Sequence, residues 1–248
     1  MLVDLSNSVD RGVELTLELP DHVLEEFRGG DRQGELRLML SKRNAVRMTT
    51  PIVRPYTEAM DAETRGRLPL SPGDCQFVAV LTTVDCRPDP ACRFNWLRVE
   101  FTLGADEPRP VACRLYPERA EDPVKQIRAL DFGAEMTIKA MGVTGPNIKR
   151  ARSLKTEADT LQYRVMTFGR YSSTPAWHFA STAVAPEVIG DMSLALIVVV
   201  PSDFASTASI TVSAEAQLKS VPFAVPLLTR RSADGLHRNT FPLRAQDS

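Results

Sequence analysis

Alternation of apolar and polar residues is the main structural signal along this chain. Every second side chain is apolar in VELTLEL (residues 13–19), and ELRLMLS (residues 35–41) repeats the pattern. Period-2 patterning of this kind is typical of a half-buried β-strand. The same criterion, or a short apolar run, predicts further strands at Phe77–Val84, Phe94–Leu103, Val111–Tyr116, Glu135–Val143, Leu161–Phe168, Trp177–Phe179, Leu194–Val200, Ser209–Leu218 and Phe223–Leu228.

Helix signals are fewer than strand signals. Asp21 can cap a short helix, and one helical turn is expected near Thr57–Arg65 within an irregular, proline-rich stretch. Asp122-Pro123 is the strongest helix start, because Asp is a favoured N-cap and Pro is favoured at the first helical position. Apolar residues follow at spacing three as far as Leu130, so we predict a helix that ends at Gly133.

Many strands without regular strand–helix alternation disfavour a parallel α/β sheet. We predict a mainly β fold, an antiparallel β-sandwich of Greek-key or jelly-roll type with one or two short helices. Residues 1–230 are expected to form one β-rich domain, with a subdivision near residues 145–160 as the alternative, and residues 231–248 a polar tail. The expected shared core consists of Leu15, Leu17, Leu38, Val80, Val99, Phe101, Leu196 and Val198.

Composition places the chain among ordinary globular proteins. Of its 248 residues, 43% are hydrophobic and 25% charged, and the net charge of −1 implies no general attraction to nucleic acid or anionic membranes. The start of the sequence lacks a signal-peptide pattern, and the longest apolar run (residues 192–200) is too short for a membrane helix. These features predict a cytoplasmic protein without a membrane span.

Four cysteines are present, and no two of them form a CxxC pair. We therefore expect reduced thiols, with a disulfide between Cys86 and Cys92 as the alternative. The segment between these two cysteines holds two prolines and two aspartates, which are turn residues. We expect it to join its flanking strands as a hairpin.

Catalytic and metal-binding motifs are missing from the sequence. It has no GxSxG, HExxH, GxGxxG or phosphate-loop pattern, and its histidines are His22, His178 and His237. We interpret His178, between Trp and Phe, as a strand histidine at a sheet edge and not as a catalytic base. Asp85 and Asp89 flank a turn and are interpreted as turn residues. No catalytic residue, metal ligand or cofactor is predicted.

One basic segment is a candidate contact site. Lys149, Arg150, Arg152 and Lys155 lie close together, and we expect them on an exposed loop between two strands. Residues 1–63 are net acidic, so the basic loop of one copy could meet the acidic face of another, or an acidic protein partner. Nucleic-acid phosphates are an alternative partner, although no aromatic residue is interleaved for base stacking.

The C-terminal half contains an apolar strand, a Pro201-containing turn, an alternating strand and a Phe–Pro close at residues 221–226. This order resembles the last strands of a jelly-roll coat protein of a picorna-like virus, and an immunoglobulin-type sandwich would have the same pattern. The resemblance covers residues 172–226 and implies a coat-type structural subunit.

Three functions follow from these observations. We expect a non-enzymatic β-sandwich protein that binds another macromolecule or assembles with copies of itself. A coat-type subunit is the first alternative, and a β-sandwich hydrolase or glycan-active enzyme is the second. The enzyme alternative stays open because catalytic sites are assembled from residues distant in sequence.

Overall fold

Strands account for most of the computed structural model, which describes residues 13–26, 32–58, 60, 62–68, 75–104, 109–131, 153–202, 206–220, 224–229 and 240–244. The strands form two antiparallel sheets with a common core, so the predicted mainly β fold, consistent with a β-sandwich, is confirmed. The elements are β1 (Val13–Glu18), α1 (Asp21–Glu26), α2 (Arg32–Arg43), β2 (Ala45–Met48), β3 (Ile52–Pro55), α3 (Ala62–Gly66), β4 (Cys75–Arg87), β5 (Cys92–Leu103), β6 (Val111–Tyr116), β7 (Arg119–Asp131), β8 (Ser153–Phe168), β9 (Ala176–Ala180), β10 (Gly190–Pro201), β11 (Thr207–Leu218), β12 (Ala224–Thr229) and β13 (Thr240–Pro242).

The two sheets are joined through the first strand. The first sheet has the order β6-β10-β4-β2-β1, and the second has the order β12-β11-β5-β9-β8-β7. The start of β1 pairs with β2, whereas its end, Leu17-Glu18, pairs with β12. Two short strands add to these sheets, since β3 pairs with β4 and β13 pairs with β11.

The core lies between the sheets and follows from the patterning of the strands. Along β5 nearly every second side chain is buried, as expected for a strand with one face against the core. Strand β10 is buried on both faces from Leu196 onward. The reason is a second, smaller apolar cluster, which includes Ile197 and Val199, on the other side of the first sheet.

Six of the eight predicted core residues are buried in one cluster: Leu17, Val80, Val99, Phe101, Leu196 and Val198. The side chain of Leu15 lies outside the described residues. The prediction for Leu38 was wrong, since this side chain is 43% exposed. Residues 35–41 belong to helix α2 and not to a strand. Helix α2 ends where Asn44 donates a side-chain hydrogen bond to the Leu40 carbonyl over 2.6 Å.

Two further predictions of local structure were wrong. Strands β4 and β5 do not form a hairpin, because β4 lies in the first sheet and β5 in the second, and the turn at residues 88–91 crosses between them. The segment that starts at Asp122-Pro123 is not a helix but part of β7. The strand predicted at Glu135–Val143 lies outside the described residues.

All four cysteines are thiols in the structure, so the alternative disulfide between Cys86 and Cys92 is not formed. Cys86 and Cys113 are fully buried. Burial raises the pKa of each of these thiols to about 12.

Candidate functional site

The most unusual element is the long hairpin made by β7 and β8. The two strands pair in antiparallel register from Arg119 opposite Met166 to Asp131 opposite Ser153. With 13 residues in β7, the ribbon is roughly 40 Å long at the usual rise per strand residue. Natural strands are mostly half this length.

Most of this ribbon extends past the sheet that carries it. Strand β8 pairs with β9 only over Val165–Phe168, next to the body. Among the described strands, residues 153–164 of β8 pair with β7 alone. A two-stranded ribbon is marginally stable by itself, and a long uncovered edge strand is a template for pairing with another chain. A further partner that pairs with the outer edges of the hairpin would therefore stabilise it.

The start of β7 is fastened to the second sheet by a buried tryptophan. The indole Nε1 of Trp177, on β9, donates a hydrogen bond to the Pro117 carbonyl over 3.1 Å. Its ring packs edge-on against Phe101, with centroids 5.7 Å apart. Thr167 adds a second link, because its hydroxyl donates to the Glu118 carbonyl over 3.0 Å.

A cation and an aromatic ring face each other where the hairpin leaves the body. The Arg119 guanidinium lies 4.2 Å from the centre of the Tyr163 ring and donates a hydrogen bond to its hydroxyl. Arg119 also forms an ion pair with Glu121. The two contacts with Tyr163 connect β7 to β8, whereas the ion pair lies within β7. Arg119 and Tyr163 are largely exposed to solvent, so the contribution of these contacts to stability is small.

The hairpin joins the body beside a small cavity of about 200 Å³. Arg170 is already engaged there: its Nε donates to the Cys113 carbonyl over 3.0 Å, and its Nη1 lies 3.6 Å from a carboxylate oxygen of Glu118. A cavity of this size is below the range of ordinary small-molecule sites. We interpret it as part of the joint between hairpin and body. Its lining residues are Arg114, Leu115, Tyr116, Glu118, Thr167 and Arg170.

The turn after β8 has a fixed shape. Gly169 has a φ of +74°, and a Cβ atom added there would lie 2.4 Å from the Thr174 carbonyl oxygen. Only glycine fits such a position without a shift of the backbone. The Tyr171 amide then donates to the Ala112 carbonyl over 2.6 Å, which ties this turn to β6.

The basic segment predicted as a contact site is only partly described. Lys149, Arg150 and Arg152 lie outside the described residues. The predicted loop position of Lys155 was wrong, because Lys155 belongs to β8, opposite Ala129 of β7. Its side chain is outside the description, so its role as a contact residue stays a prediction.

The described residues give His178 no obvious catalytic partner. It lies on β9 between β5 and β8, so the predicted position at a sheet edge was wrong. Its ring is 5.7 Å from the Trp96 ring. Partial burial, with the neighbouring Arg98 as a second cause, lowers the pKa of His178. Within the described part of the chain, no cluster of three His, Cys, Asp or Glu side chains could hold a metal ion.

Comparisons with known proteins gave matches only among solved structures. No protein-family model matches the chain, and no curated protein matches it. The NetB toxin of Clostridium perfringens in its membrane-inserted form is 9% identical, with a TM-score of 0.30, over 88% of this chain and 92% of that one. A structure described as a pore-forming protein is 5% identical, with a TM-score of 0.33, over 74% and 87%. The Clostridium perfringens delta-toxin is 7% identical, with a TM-score of 0.25, over 69% and 80%.

These matches contradict several predictions made from the sequence. The matched structures are described as toxins and a pore-forming protein, and not as coat subunits, hydrolases or cytoplasmic binding proteins. The predicted function, its two alternatives, the jelly-roll and structural-protein assignments and the cytoplasmic location are therefore withdrawn. At TM-scores of 0.25–0.33 the matches assign no function to this chain in place of the withdrawn ones.

Of the predicted partners, copies of the chain itself are consistent with the matched structures. Within the described residues, no helix has both the length and the apolar character that crossing a membrane requires.

Proposed function

We propose that this chain acts on membranes by inserting the β7–β8 hairpin into a lipid bilayer together with other copies of itself. The observation that supports the proposal is the ribbon itself, which continues past the second sheet with β7 and β8 as each other's only described partners. Its length of roughly 40 Å carries the end of β7, at Asp131, well away from the body.

The sequence that leads out of β7 has the pattern such an insertion needs. Residues 130–140 read LDFGAEMTIKA, in which every second residue is apolar and the intervening ones are polar or Gly. Residues 132–152 lie outside the described residues, and the pattern is that of the sequence. The apolar set is Leu130, Phe132, Ala134, Met136, Ile138 and Ala140.

The period and the length of this segment both fit a strand between lipid and water. Membrane-spanning strands need about 9–11 residues, and they alternate between a lipid-facing and a water-facing side. The observed register supports the same division, because Leu154 of β8 is opposite Leu130 of β7. Directly opposite residues in an antiparallel pair share one face, so two apolar residues share a face next to the last described pair of the ribbon, Asp131 and Ser153.

The edges of the hairpin explain why several copies are needed. Each hairpin has two outer edges with unpaired backbone N–H and C=O groups, and such groups cost several kcal/mol each in hydrocarbon. Pairing with the hairpins of neighbouring copies satisfies these groups. We therefore expect the chain to associate with itself in the bilayer, and the association to be weaker without lipid.

The test is dye release from vesicles of mixed phosphatidylcholine and phosphatidylserine. We compare Met136→Arg, on the apolar side of the alternation, with Thr137→Arg, one residue further along on the polar side. Arginine facing the middle of the bilayer costs about 2–4 kcal/mol, whereas arginine facing water costs little. We expect the wild type and Thr137→Arg to release dye and Met136→Arg to be at least about tenfold less effective.

Two results would contradict the proposal. The first is a wild type that binds vesicles but releases no dye at any protein-to-lipid ratio. The second is an equal loss of release in both arginine variants, because the alternation would then have no relation to a lipid-facing side. Thermal unfolding of both variants in solution serves as the control for folding.

A further inference from the structure

We infer that the small cavity at the joint between hairpin and body is a phosphate-binding site, in which two arginines hold the anion and one carboxylate selects it. The cavity has a volume of about 200 Å³. Sites for organic ligands usually measure roughly 300–1,000 Å³, so this cavity suits an inorganic oxyanion or a single phosphoryl group. The inference goes beyond the proposed function and does not depend on insertion of the hairpin into a bilayer.

A β-bulge in β6 determines the position of the first arginine. Ala112 and Arg114 are opposite neighbouring residues of β10, so Cys113 between them is an extra residue in β6. Arg114 is opposite Ile197, which belongs to the apolar cluster on the outer side of the first sheet. Opposite residues of an antiparallel pair share one face, so Arg114 is on this outer side, where it lines the cavity. Bulges often re-aim a side chain next to a functional site.

The second arginine, Arg170, is held in place by its surroundings. Its Nε donates a hydrogen bond to the carbonyl of the bulged residue Cys113 over 3.0 Å. Its guanidinium carbon lies 5.0 Å from the centre of the Tyr171 ring, in the turn that is tied to β6. A side chain fixed in this way loses little conformational entropy when a ligand binds. Arginine also suits phosphate, because its planar fork can donate to two oxygens at once.

A carboxylate at the same cavity provides a basis for choosing among anions. Glu118 lines the cavity, and one of its carboxylate oxygens lies 3.6 Å from Nη1 of Arg170, which is longer than a hydrogen bond. An ionised carboxylate can only accept hydrogen bonds. Inorganic phosphate at pH 6 carries a P–OH group that can donate to Glu118, whereas sulfate has no proton and would face a like charge. Because repulsion of a competitor produces specificity, we expect phosphate to be preferred over sulfate.

The cavity joins parts of the chain that hold the hairpin. Its lining comes from β6, from Glu118 just before β7, from Thr167 near the end of β8, and from the turn after β8. An anion bound to both Arg114 and Arg170 would connect β6 with the turn that follows the hairpin. Bound phosphate should therefore raise the Tm, since a ligand of the folded state stabilises it.

The test is isothermal titration calorimetry at pH 6 and constant ionic strength, with inorganic phosphate, sulfate and glycerol 3-phosphate as the ligands. We expect phosphate to bind at least about tenfold more tightly than sulfate. Glycerol 3-phosphate distinguishes two sources of the same chemistry. Weaker binding than that of inorganic phosphate would assign the site to the free ion, and equal binding would assign it to phosphoryl groups of larger molecules.

Three variants test the roles of the side chains. Arg114→Gln should weaken phosphate binding at least about tenfold, because hydrogen bonds between charged groups are the strong ones. The matched control is Arg93→Gln, which removes the same charge from the second sheet, where Arg93 donates to Gln217. It should bind phosphate within about twofold of the wild type. Glu118→Gln should bring the affinities for phosphate and sulfate close together, and its side chain is 68% exposed, so the variant should fold.

Three results would overturn the inference. The first is a wild type to which phosphate binds without measurable heat at millimolar concentrations and without a rise in Tm. The second is equal affinity of the wild type for phosphate and sulfate. The third is an equal loss of phosphate binding in Arg114→Gln and Arg93→Gln, because the anion would then respond only to the overall charge. None of these results bears on dye release, so the inference and hairpin insertion can fail separately.

Discussion

The hydrogen bond from the Trp177 indole to the Pro117 carbonyl should stabilise the attachment of the β7–β8 hairpin to the second sheet. Trp177→Phe keeps an aromatic ring but removes the indole N–H that donates to the Pro117 carbonyl over 3.1 Å. A typical hydrogen bond contributes about 1 kcal/mol, and a smaller ring in a fully buried site leaves a void. We expect a loss of about 1–3 kcal/mol in the free energy of unfolding, and a fall in Tm of roughly 2–4 °C for each kcal/mol.

The effect of Trp177→Phe should be concentrated at the start of β7. Amide hydrogen exchange should accelerate more at residues 118–121, the start of β7, than in the β4–β10 pair of the first sheet. Phe179→Leu is the matched control, because Phe179 is also buried on β9 and does not bond to Pro117. It should destabilise the core without a preferential effect at β7. The same exchange pattern in both variants would refute the role of Trp177 as the fastening of the hairpin.

Two other predictions follow from the joint and the core. Burial raises the pKa of the Cys86 and Cys113 thiols to about 12, above the usual value of about 8.5. The contribution of the neutral thiols to the free energy of unfolding is therefore complete below pH ~8.5 and declines as the pH rises towards ~12. Urea unfolding at a series of pH values should show that this free energy falls less steeply with pH in Cys113→Ala than in the wild type. Gly169→Ala should cost about 1–3 kcal/mol, since its Cβ would lie 2.4 Å from the Thr174 carbonyl oxygen, whereas Gly66→Ala meets nothing within 4 Å and should stay within about 0.5 kcal/mol in chemical denaturation.

Most strands could be predicted from the sequence because their side chains follow a two-residue period set by one buried face. Helix α2 could not, although the apolar residues of ELRLMLS also alternate. Leu, Arg and Met are strong helix formers, and only Leu40 needs to face the core, so Leu36 and Leu38 are left exposed. Alternation over a few leucines is compatible with both structures when burial is not known.

Two other wrong predictions have a common cause: the position of a segment in the tertiary structure overrides its local sequence signal. Asp122-Pro123 carries the signal of a helix start, yet Pro123 lies in β7, an edge strand, where the missing N–H of proline is tolerated. The turn between β4 and β5 has the composition of a hairpin turn. The two strands nevertheless belong to different sheets, because local sequence does not distinguish a hairpin from a corner between sheets.

The helix predicted from Asp122-Pro123 also prevented recognition of the candidate site from the sequence. A helix placed over residues 122–133 interrupts the alternation of residues 130–140, so the sequence appears to hold a helix followed by a separate strand. Once β7 is known to be a strand through Asp131, the pattern from Leu130 to Ala140 is one continuous alternation. Fixed contacts such as that of Trp177 with Pro117, 60 residues apart, have no signal in the sequence.

The most direct test of hairpin insertion is a residue-by-residue scan of the segment 132–139 with a polarity-sensitive fluorophore. Single cysteines are introduced and labelled in a Cys75→Ser background, in which the remaining native thiols are buried. On addition of vesicles we expect an apolar emission shift at alternate positions, at Phe132, Ala134, Met136 and Ile138, and no shift at the positions between them. Without vesicles the alternation should be absent. An emission that stays unchanged, or that shifts equally at every position, would contradict insertion of the β7–β8 hairpin into the bilayer.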